Sequence, residues 1–414
     1  MKKVPFLFIV LSITICSLNS WAEELGRDVL KQELETLKAE FQQMKAIYGK
    51  RIEALEERLR KTEEVATEAA SHKPSPVGSY GGIMNPDISA IIDAQMSFTD
   101  EKNDSNRNKV RIRELELAYQ GYLYPSIRAD VISALELSYK SDHTVDVEVD
   151  LEEAYVSFLH IPYVPLGLQV IGGRKFLDFG KLNPIHPHHW PFADTPLAFK
   201  NFFGEHNWFD DGVQLSALIP NPWDAYLKTT FGYWNGRPLA HGDGHHHHNH
   251  VVEWHGHIYH FRPSLAFSPG ENDNLNLGYS LAWDEGARSK LHGGDFTYWY
   301  QWPQSYRKFK WQNELLFYDN RMEDIDSLGL YSLALLTLDK YWEVGIRFDW
   351  SQFANRDDVS EWAITPFLSR YLTHSTYLRG QYRFRDREAG KKNENAFFLQ
   401  LVWGLGPHAH RLSD

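Results

Sequence analysis

The stretch YWEVGIRFDWS, Tyr341–Ser351, decides the fold. Trp342, Val344, Ile346, Phe348 and Trp350 recur at every second position, with Glu343, Gly345, Arg347 and Asp349 between them. Successive side chains of a β-strand point to opposite faces, so the segment predicts a strand with one aromatic-rich apolar face and one charged face. A soluble sandwich would also alternate, but its buried face favours Val, Ile and Leu over repeated Trp and Tyr. Aromatic residues towards the ends of an apolar strand face are a bilayer-interface feature. The segment reads as a transmembrane strand.

The same period runs through most of the chain after Gly82. Ile88, Ala90, Ile92, Ala94, Met96 and Phe98 alternate with Ser89, Asp93, Gln95 and Ser97. In DFTYWYQW the apolar face is Phe296, Tyr298, Tyr300 and Trp302. Strands are expected near 86–99, 109–122, 126–140, 147–160, 167–176, 210–220, 224–235 and 254–267. The second half adds 274–286, 293–303, 306–318, 328–338, 341–352, 360–371, 375–387 and 394–405. That is an even number, sixteen, as bacterial barrels require. With the N-terminus periplasmic, short turns such as Pro220–Trp223 and Asp339–Lys340 fall on the periplasmic side. The long connections 177–209 and 236–253 then fall outside, which supports the orientation because loop length did not set it.

Composition agrees with an all-β membrane barrel. Aromatic content is 14%, yet mean hydropathy is only −0.47. A helical span needs roughly 20 consecutive apolar residues, and no such run follows the N-terminus. A barrel escapes hydropathy because only alternate residues face lipid. The formal net charge of −12 makes nucleic acid an improbable partner.

Residues 1–22 read as a secretory signal, with Lys2 and Lys3, the apolar FLFIVLSITICSL, and Ser20-Trp21-Ala22 as the cleavage site. Cys16 is the single cysteine and lies inside it, so a processed chain has no disulfide, thiolate metal site or catalytic thiol. Residues 23–66 form a charged amphipathic helix. Leu30, Leu34, Leu37, Phe41, Met44, Tyr48, Ile52, Leu55 and Leu59 step along one seam by threes and fours. The flanking Glu and Lys fit a periplasmic coiled coil that oligomerises the protein, with a trimer favoured. A single helix lying on another surface is the plainer alternative. The Pro/Gly/Ser-rich segment 67–82 is a linker, and 83–414 is the barrel. Nothing between helix and first strand resembles the plug domain of an energised receptor.

Three segments carry a family resemblance. GGRKFLDFGKLNPIHPHHWPFADTPLAFKNFFGEHNWFDDGVQLS (Gly172–Ser216), MNPDISAIIDAQ (Met84–Gln95) and LVWGLGPHAH (Leu401–His410) resemble plugless outer-membrane barrels often described as zinc-regulated receptors or porins. More distantly, the arrangement of signal, coiled coil and sixteen-strand barrel is similar to phosphate-selective porins. The resemblance implies the outer membrane of a Gram-negative bacterium, with lipid and lipopolysaccharide as surroundings. It carries only the His-Pro-His motif, His186, Pro187 and His188, onto this chain. The tail GPHAHRLSD departs from ordinary porins, which end on a terminal Phe.

Three groups of residues are candidates for chemistry. In the 177–209 loop, His186, His188, His189 and Asp194 are candidates to line a constriction or bind a divalent cation. Pro184, Pro187, Pro191 and Pro196 stiffen this loop by fixing φ. Trp190, Phe192, Phe199, Phe202 and Phe203 equally suit packing against a wall. Inward charges form the second group: a basic row of Arg379, Arg383 and Arg385, and an acidic row of Glu148, Asp150 and Glu152. Rows of opposite sign set selectivity across a lumen, but ordinary solvated strand faces look the same. The third is the histidine-dense stretch AHGDGHHHHNHVVEWHGHIYH, Ala240–His260. There His241, Asp243, His245, His246, His247, His248, His250, His255 and His257 offer loose ligation to zinc, nickel or copper. A merely hydrophilic loop and a protonation-driven gate are the alternatives.

No H-E-x-x-H, phosphate loop or G-x-S-x-G elbow is present, so the reading is not enzymatic. A porin-like channel for passive uptake of small solutes or ions, linked to a divalent transition metal, fits best, with no cofactor required. An anion porin of phosphate type and a structural tether using the coiled coil are the alternatives. If the seam drives association, polar replacements at Leu34, Leu37 and Phe41 weaken the oligomer while the barrel still folds. Chemical crosslinking checks this, and an unchanged crosslinking ladder would place the association in the barrel walls.

Overall fold

The computed structural model describes residues 86–406, except 103, 105–106, 140–144, 162, 165, 224, 240–250 and 388–390. The expected signal, coiled coil and linker lie outside the described residues. The strands of the first half are β1 (Asp87–Thr99), β2 (Lys109–Tyr124), β3 (Ile127–Tyr139), β4 (Val145–Phe158), β5 (Gln169–Phe176), β6 (Phe209–Leu218), β7 (Tyr226–Trp234) and β8 (Ile258–Phe267). The second half supplies β9 (Asp273–Asp284), β10 (Ser289–Gln301), β11 (Lys308–Asn320), β12 (Ile325–Thr337), β13 (Trp342–Phe353), β14 (Arg356–Thr373), β15 (Thr376–Asp386) and β16 (Glu394–Leu405). Each strand pairs antiparallel with its neighbours, and β1 closes on β16 from Ala90↔Leu405 to Thr99↔Ala396. The result is a closed sixteen-stranded barrel.

All sixteen expected strands are present, and the differences lie at their ends. β10 starts at Ser289 rather than 293 because a tight turn with Ala287 at φ 48° precedes it. β8 starts at Ile258 rather than 254, since the residues before it pack against an inner loop instead of pairing with β7.

Closure fixes which face of each strand points inward. On β13, Val344, Ile346 and Phe348 are 39%, 43% and 42% exposed, whereas Arg347 and Asp349 are 0% exposed. The apolar row forms the outside and the charged row is covered inside. β1 repeats this: Ser89, Asp93, Gln95 and Ser97 are buried, while Ile88 and Phe98 are exposed. An apolar exterior with a polar interior is the reverse of a water-soluble fold and is suited to lipid. Among the described residues, no helix is long and apolar enough to cross a membrane.

The inner wall between β7 and β14 is apolar, with Trp234, Ile258, Leu291, Leu316, Leu333 and Phe367 in one cluster. Gly345 is required beneath it, because a Cβ there would sit 2.2 Å from the Phe367 ring. A charge on the outer face measures the environment of the barrel. Ile346→Lys should destabilise the bilayer-folded protein by about 2–4 kcal/mol near mid-depth. Denaturant titration in vesicles checks this; a loss below about 0.5 kcal/mol, typical of a water-exposed site, would contradict a lipid-facing wall.

Candidate functional site

β5 and β6 are short, and between them residues 177–208 turn into the barrel. The segment contains a 3-10 turn, Pro187–His189, and one short helix, α1 (Leu197–Phe203), which starts just after Pro196. Its two ends are tied together. Asn183 donates to the carbonyls of Leu177 (2.8 Å) and Trp208 (2.9 Å) and accepts from the Trp208 amide at 2.7 Å. At Gly180, φ is 65° and a Cβ would meet Glu314 Oε2 at 2.2 Å, so only glycine fits. This close approach lets Glu314 on β11 accept from the Lys181 and Leu182 amides at 2.8 and 2.9 Å.

One side of the loop is aromatic. Trp190, Phe192, Phe199, Phe202 and Phe203 are at most 2% exposed and join the apolar cluster of the wall. These residues pack, as one of the two expectations held. Val252 and Trp254, from the connection before β8, complete the cluster, with Trp254 stacked on Trp208 at 5.2 Å.

The other side is polar and pinned by charge. Asp194 receives Arg347 at 3.0 Å, Arg383 at 2.7 Å and Gln381 at 2.6 Å. Next to it, Ala193 donates its amide to Gln381 and accepts from Gln95, both at 2.8 Å. Burial works against the charge of Asp194, but the two guanidiniums outweigh it and hold the pKa at about 2. Both carboxylate oxygens are thus engaged. Of the two expectations for Asp194, a place in a constriction or a metal ligand, the contacts favour the first: it anchors the loop to β13 and β15.

His186 and His188 face a different chemistry. Two β-bulges lie opposite them, one placing Arg113 without a partner on β2 and one doing the same for Glu152 on β4. A bulge breaks the alternation, so Arg113 with Glu114, and Glu152 with Glu153, are adjacent pairs that both turn inward. His186 Nδ1 lies 2.9 Å from Glu116 and 3.3 Å from Glu152, and its Nε2 hydrogen-bonds Glu153 at 3.2 Å. His188 Nδ1 lies 3.5 Å from the same Glu116 oxygen and 3.8 Å from Glu114. Burial opposes protonation of both imidazoles, but the carboxylates, Glu116 foremost, raise both pKa values above the usual histidine range. His189 packs edge-on against His188 at 4.2 Å, and His206 reaches Glu136 on β3 at 3.4 Å.

The remaining expected residues are placed as follows. Arg379, Arg383 and Arg385 do turn inward. Arg383 and Arg385 bond Glu394 and Glu361, while Arg379 is 1% exposed and bonds Ser369 and Gln400. The row is thus inward, as expected, and each of its members has a partner on a neighbouring strand. Asp150 is half-buried, Glu152 faces His186, and position 148 pairs in register with Glu136. His241, Asp243, His245, His246, His247, His248 and His250 lie outside the described residues. His255 approaches Asp284 at 3.6 Å and His257 packs on Tyr233, so these two do not converge.

Glu114, Glu116, Glu153 and Arg347 escaped the sequence reading as site residues. For the first two a signal existed, since RIRELELAY (Arg111–Tyr119) alternates charge and aliphatic residues as plainly as β4 does.

No known family profile matches the chain. An uncharacterized protein of Aquifex aeolicus is 27% identical over 395 residues, covering 78% of this chain and 79% of its own. Among solved structures, the outer membrane channel DcaP of Acinetobacter baumannii matches with a TM-score of 0.52 at 8% identity, over 80% of this chain and 100% of that one. An anion-selective porin from Comamonas acidovorans gives 0.51 at 12% identity, over 78% and 99%. OmpF of Salmonella typhi gives 0.50 at 9% identity, over 79% and 99%. At these identities the likeness is one of fold: this barrel has the architecture of outer-membrane porins. The zinc-regulated affiliation rests on the sequence resemblance alone.

The Asp194 anchor has a definite pH window. Its folded pKa of about 2 lies below the ordinary 3.8, so its contribution is present above pH ~4 and is lost as pH falls towards 2. Asp194→Asn removes it at all pH values. The cost should be about 3 kcal/mol, the low end for breaking a buried pair, because Arg347 keeps Asp349 and Arg383 keeps Glu394. Limited proteolysis should cut 181–207 in the variant at neutral pH and in the parent only under acid; equal resistance at neutral pH would contradict the anchor.

Proposed function

We propose that this chain is an outer-membrane channel of porin type for passive uptake of small solutes or ions, with the 177–208 loop as its constriction. The observation that carries the reading is the loop's position: it leaves the wall after β5, crosses the interior and bonds Gln95, Gln381, Arg347 and Glu314 on four separate strands. A sixteen-stranded barrel has room for an aqueous lumen, so an inserted loop fixes what passes. The inward charges favour small hydrophilic solutes of either sign over a purely anionic cargo, because Arg347, Arg383 and Arg385 each meet a carboxylate.

The narrower part of the reading is a divalent transition metal, zinc foremost, gathered by the imidazoles of 241–257 at the outer mouth. The density of those side chains supports it, as does the packing of Val252 and Trp254 onto the luminal loop, which holds the base of the stretch beside the lumen. Weak, exchangeable ligation suits passage, since a site that binds too tightly blocks conduction. A trimer is favoured for the assembly; one solved neighbour, OmpT of Vibrio cholerae, is described in a trimer form.

Planar-bilayer recording tests the channel. The full chain should conduct, and deleting 184–203 should raise single-channel conductance several-fold. Absence of conductance from both proteins, with the barrel folded, would remove the channel reading. Changing His245, His246, His247, His248 and His250 to Asn should lower zinc binding strongly and leave conductance constant.

A further inference from the structure

We propose a second metal site, inside the barrel, in which Glu116 of β2, Glu152 of β4 and His186 of the loop hold one divalent transition-metal ion, with His188 completing the set. It deepens the metal part of the reading above and is independent of the histidine-rich mouth.

The geometry is that of a ligand shell. Bonds of about 2.0–2.2 Å set neighbouring ligands about 2.8–3.1 Å apart around an octahedral ion and about 3.3–3.6 Å apart around a tetrahedral one. His186 Nδ1 lies 2.9 Å from Glu116 Oε2 and 3.3 Å from Glu152 Oε2, and His188 Nδ1 lies 3.5 Å from that Glu116 oxygen. The ligand atoms of Glu116, Glu152 and His186 all fall within 4.8 Å of one another, as do those of Glu114, Glu116 and His188. Glu116 is shared, so the two groups meet at one place.

Orientation supports the assignment as strongly as distance. Nε2 of His186 faces Glu153, so in the neutral ring that a metal requires the proton sits on Nε2 and Nδ1 is left to ligate on the side of Glu116 and Glu152. A carboxylate behind a ligating imidazole is the usual outer support of a metal-bound histidine. His186 is 8% exposed, yet its Nδ1 makes no aligned hydrogen bond, and neither does Glu152 Oε2. The two atoms face each other 3.3 Å apart, so a divalent cation that replaces the proton between them meets both. The supports are rigid: two bulged strands and a 3-10 turn opened by Pro187. Two imidazoles and two carboxylates suit zinc or a neighbouring first-row divalent ion, whereas calcium and magnesium prefer oxygen alone.

The test uses the full chain, purified and folded, with His245, His246, His247, His248 and His250 changed to Asn so that the mouth does not mask the interior. Titration with Zn2+, and with Co2+ followed by its visible ligand-field bands, should show one ion per chain. In this background His186→Gln and Glu116→Gln should each weaken binding at least about 100-fold, and Glu153→Gln about 10- to 100-fold. X-ray absorption of the zinc-loaded protein should report a mixed shell of imidazole nitrogen and carboxylate oxygen, a readout that needs no variant at the site. Loss of all stoichiometric binding on removing the mouth histidines, or an isotherm untouched by His186→Gln and Glu116→Gln, would overturn the site. An absorption shell of oxygen alone or imidazole alone would do the same. Absence of conductance with binding intact would remove the channel and keep the site.

Discussion

In hydrocarbon there is no water to satisfy a bare strand edge, so a sheet that spans a bilayer must close on itself. Here β1 meets β16 through ten residue pairs, from Ala90 to Thr99, and this closure decides everything inside. Once the cylinder is shut, each strand has an outer face that must be apolar and an inner face that need not be. Arg347 and Asp349 are fully covered because they point inward, while Ile346 and Phe348 beside them stay exposed. The charges available to the interior are therefore a consequence of register.

A loop folded into such an interior must match two kinds of wall. Phe192, Phe199 and Phe202 meet the apolar stretch between β7 and β14, where burial of aromatic surface supplies the adhesion. Asp194 meets Arg347 and Arg383 on the other side, and the gain there is mainly in specificity of position. A buried ion pair offsets little more than its own desolvation, but an unpaired partner is expensive, so displaced arrangements of the loop are penalised. Apolar contact holds the loop in; ionic contact says where.

The strand plan was legible because it depends on local alternation alone. Segments such as Tyr341–Ser351 declare their two faces without any knowledge of neighbours. The site was less legible because its partners are remote in sequence and depend on register. Asp194 resembled a ligand in PFADTP, and nothing near it announces Arg347 or Arg383, more than 150 residues further on. His186 and His188 stood out, yet the carboxylates around them come from β2 and β4. The bulges at Arg113 and Glu152 that turn adjacent charges inward have no sequence signature comparable to a turn dipeptide. Where alternation is interrupted on purpose, a reading based on alternation loses the residue that matters.

In the proposed channel, water and solute pass between the loop and the wall. His206, on the loop, is 40% exposed and 3.4 Å from Glu136 on β3. The only native cysteine is Cys16, within the expected signal, so a cysteine introduced at His206 can be addressed alone. Single-channel recording of His206→Cys during exposure to a charged methanethiosulfonate reagent is the most direct measurement. Conductance should fall stepwise on modification, and should not change when the same reagent meets Phe348→Cys at the outer wall. Modification of His206→Cys without any change in conductance would contradict a solute path beside the luminal loop.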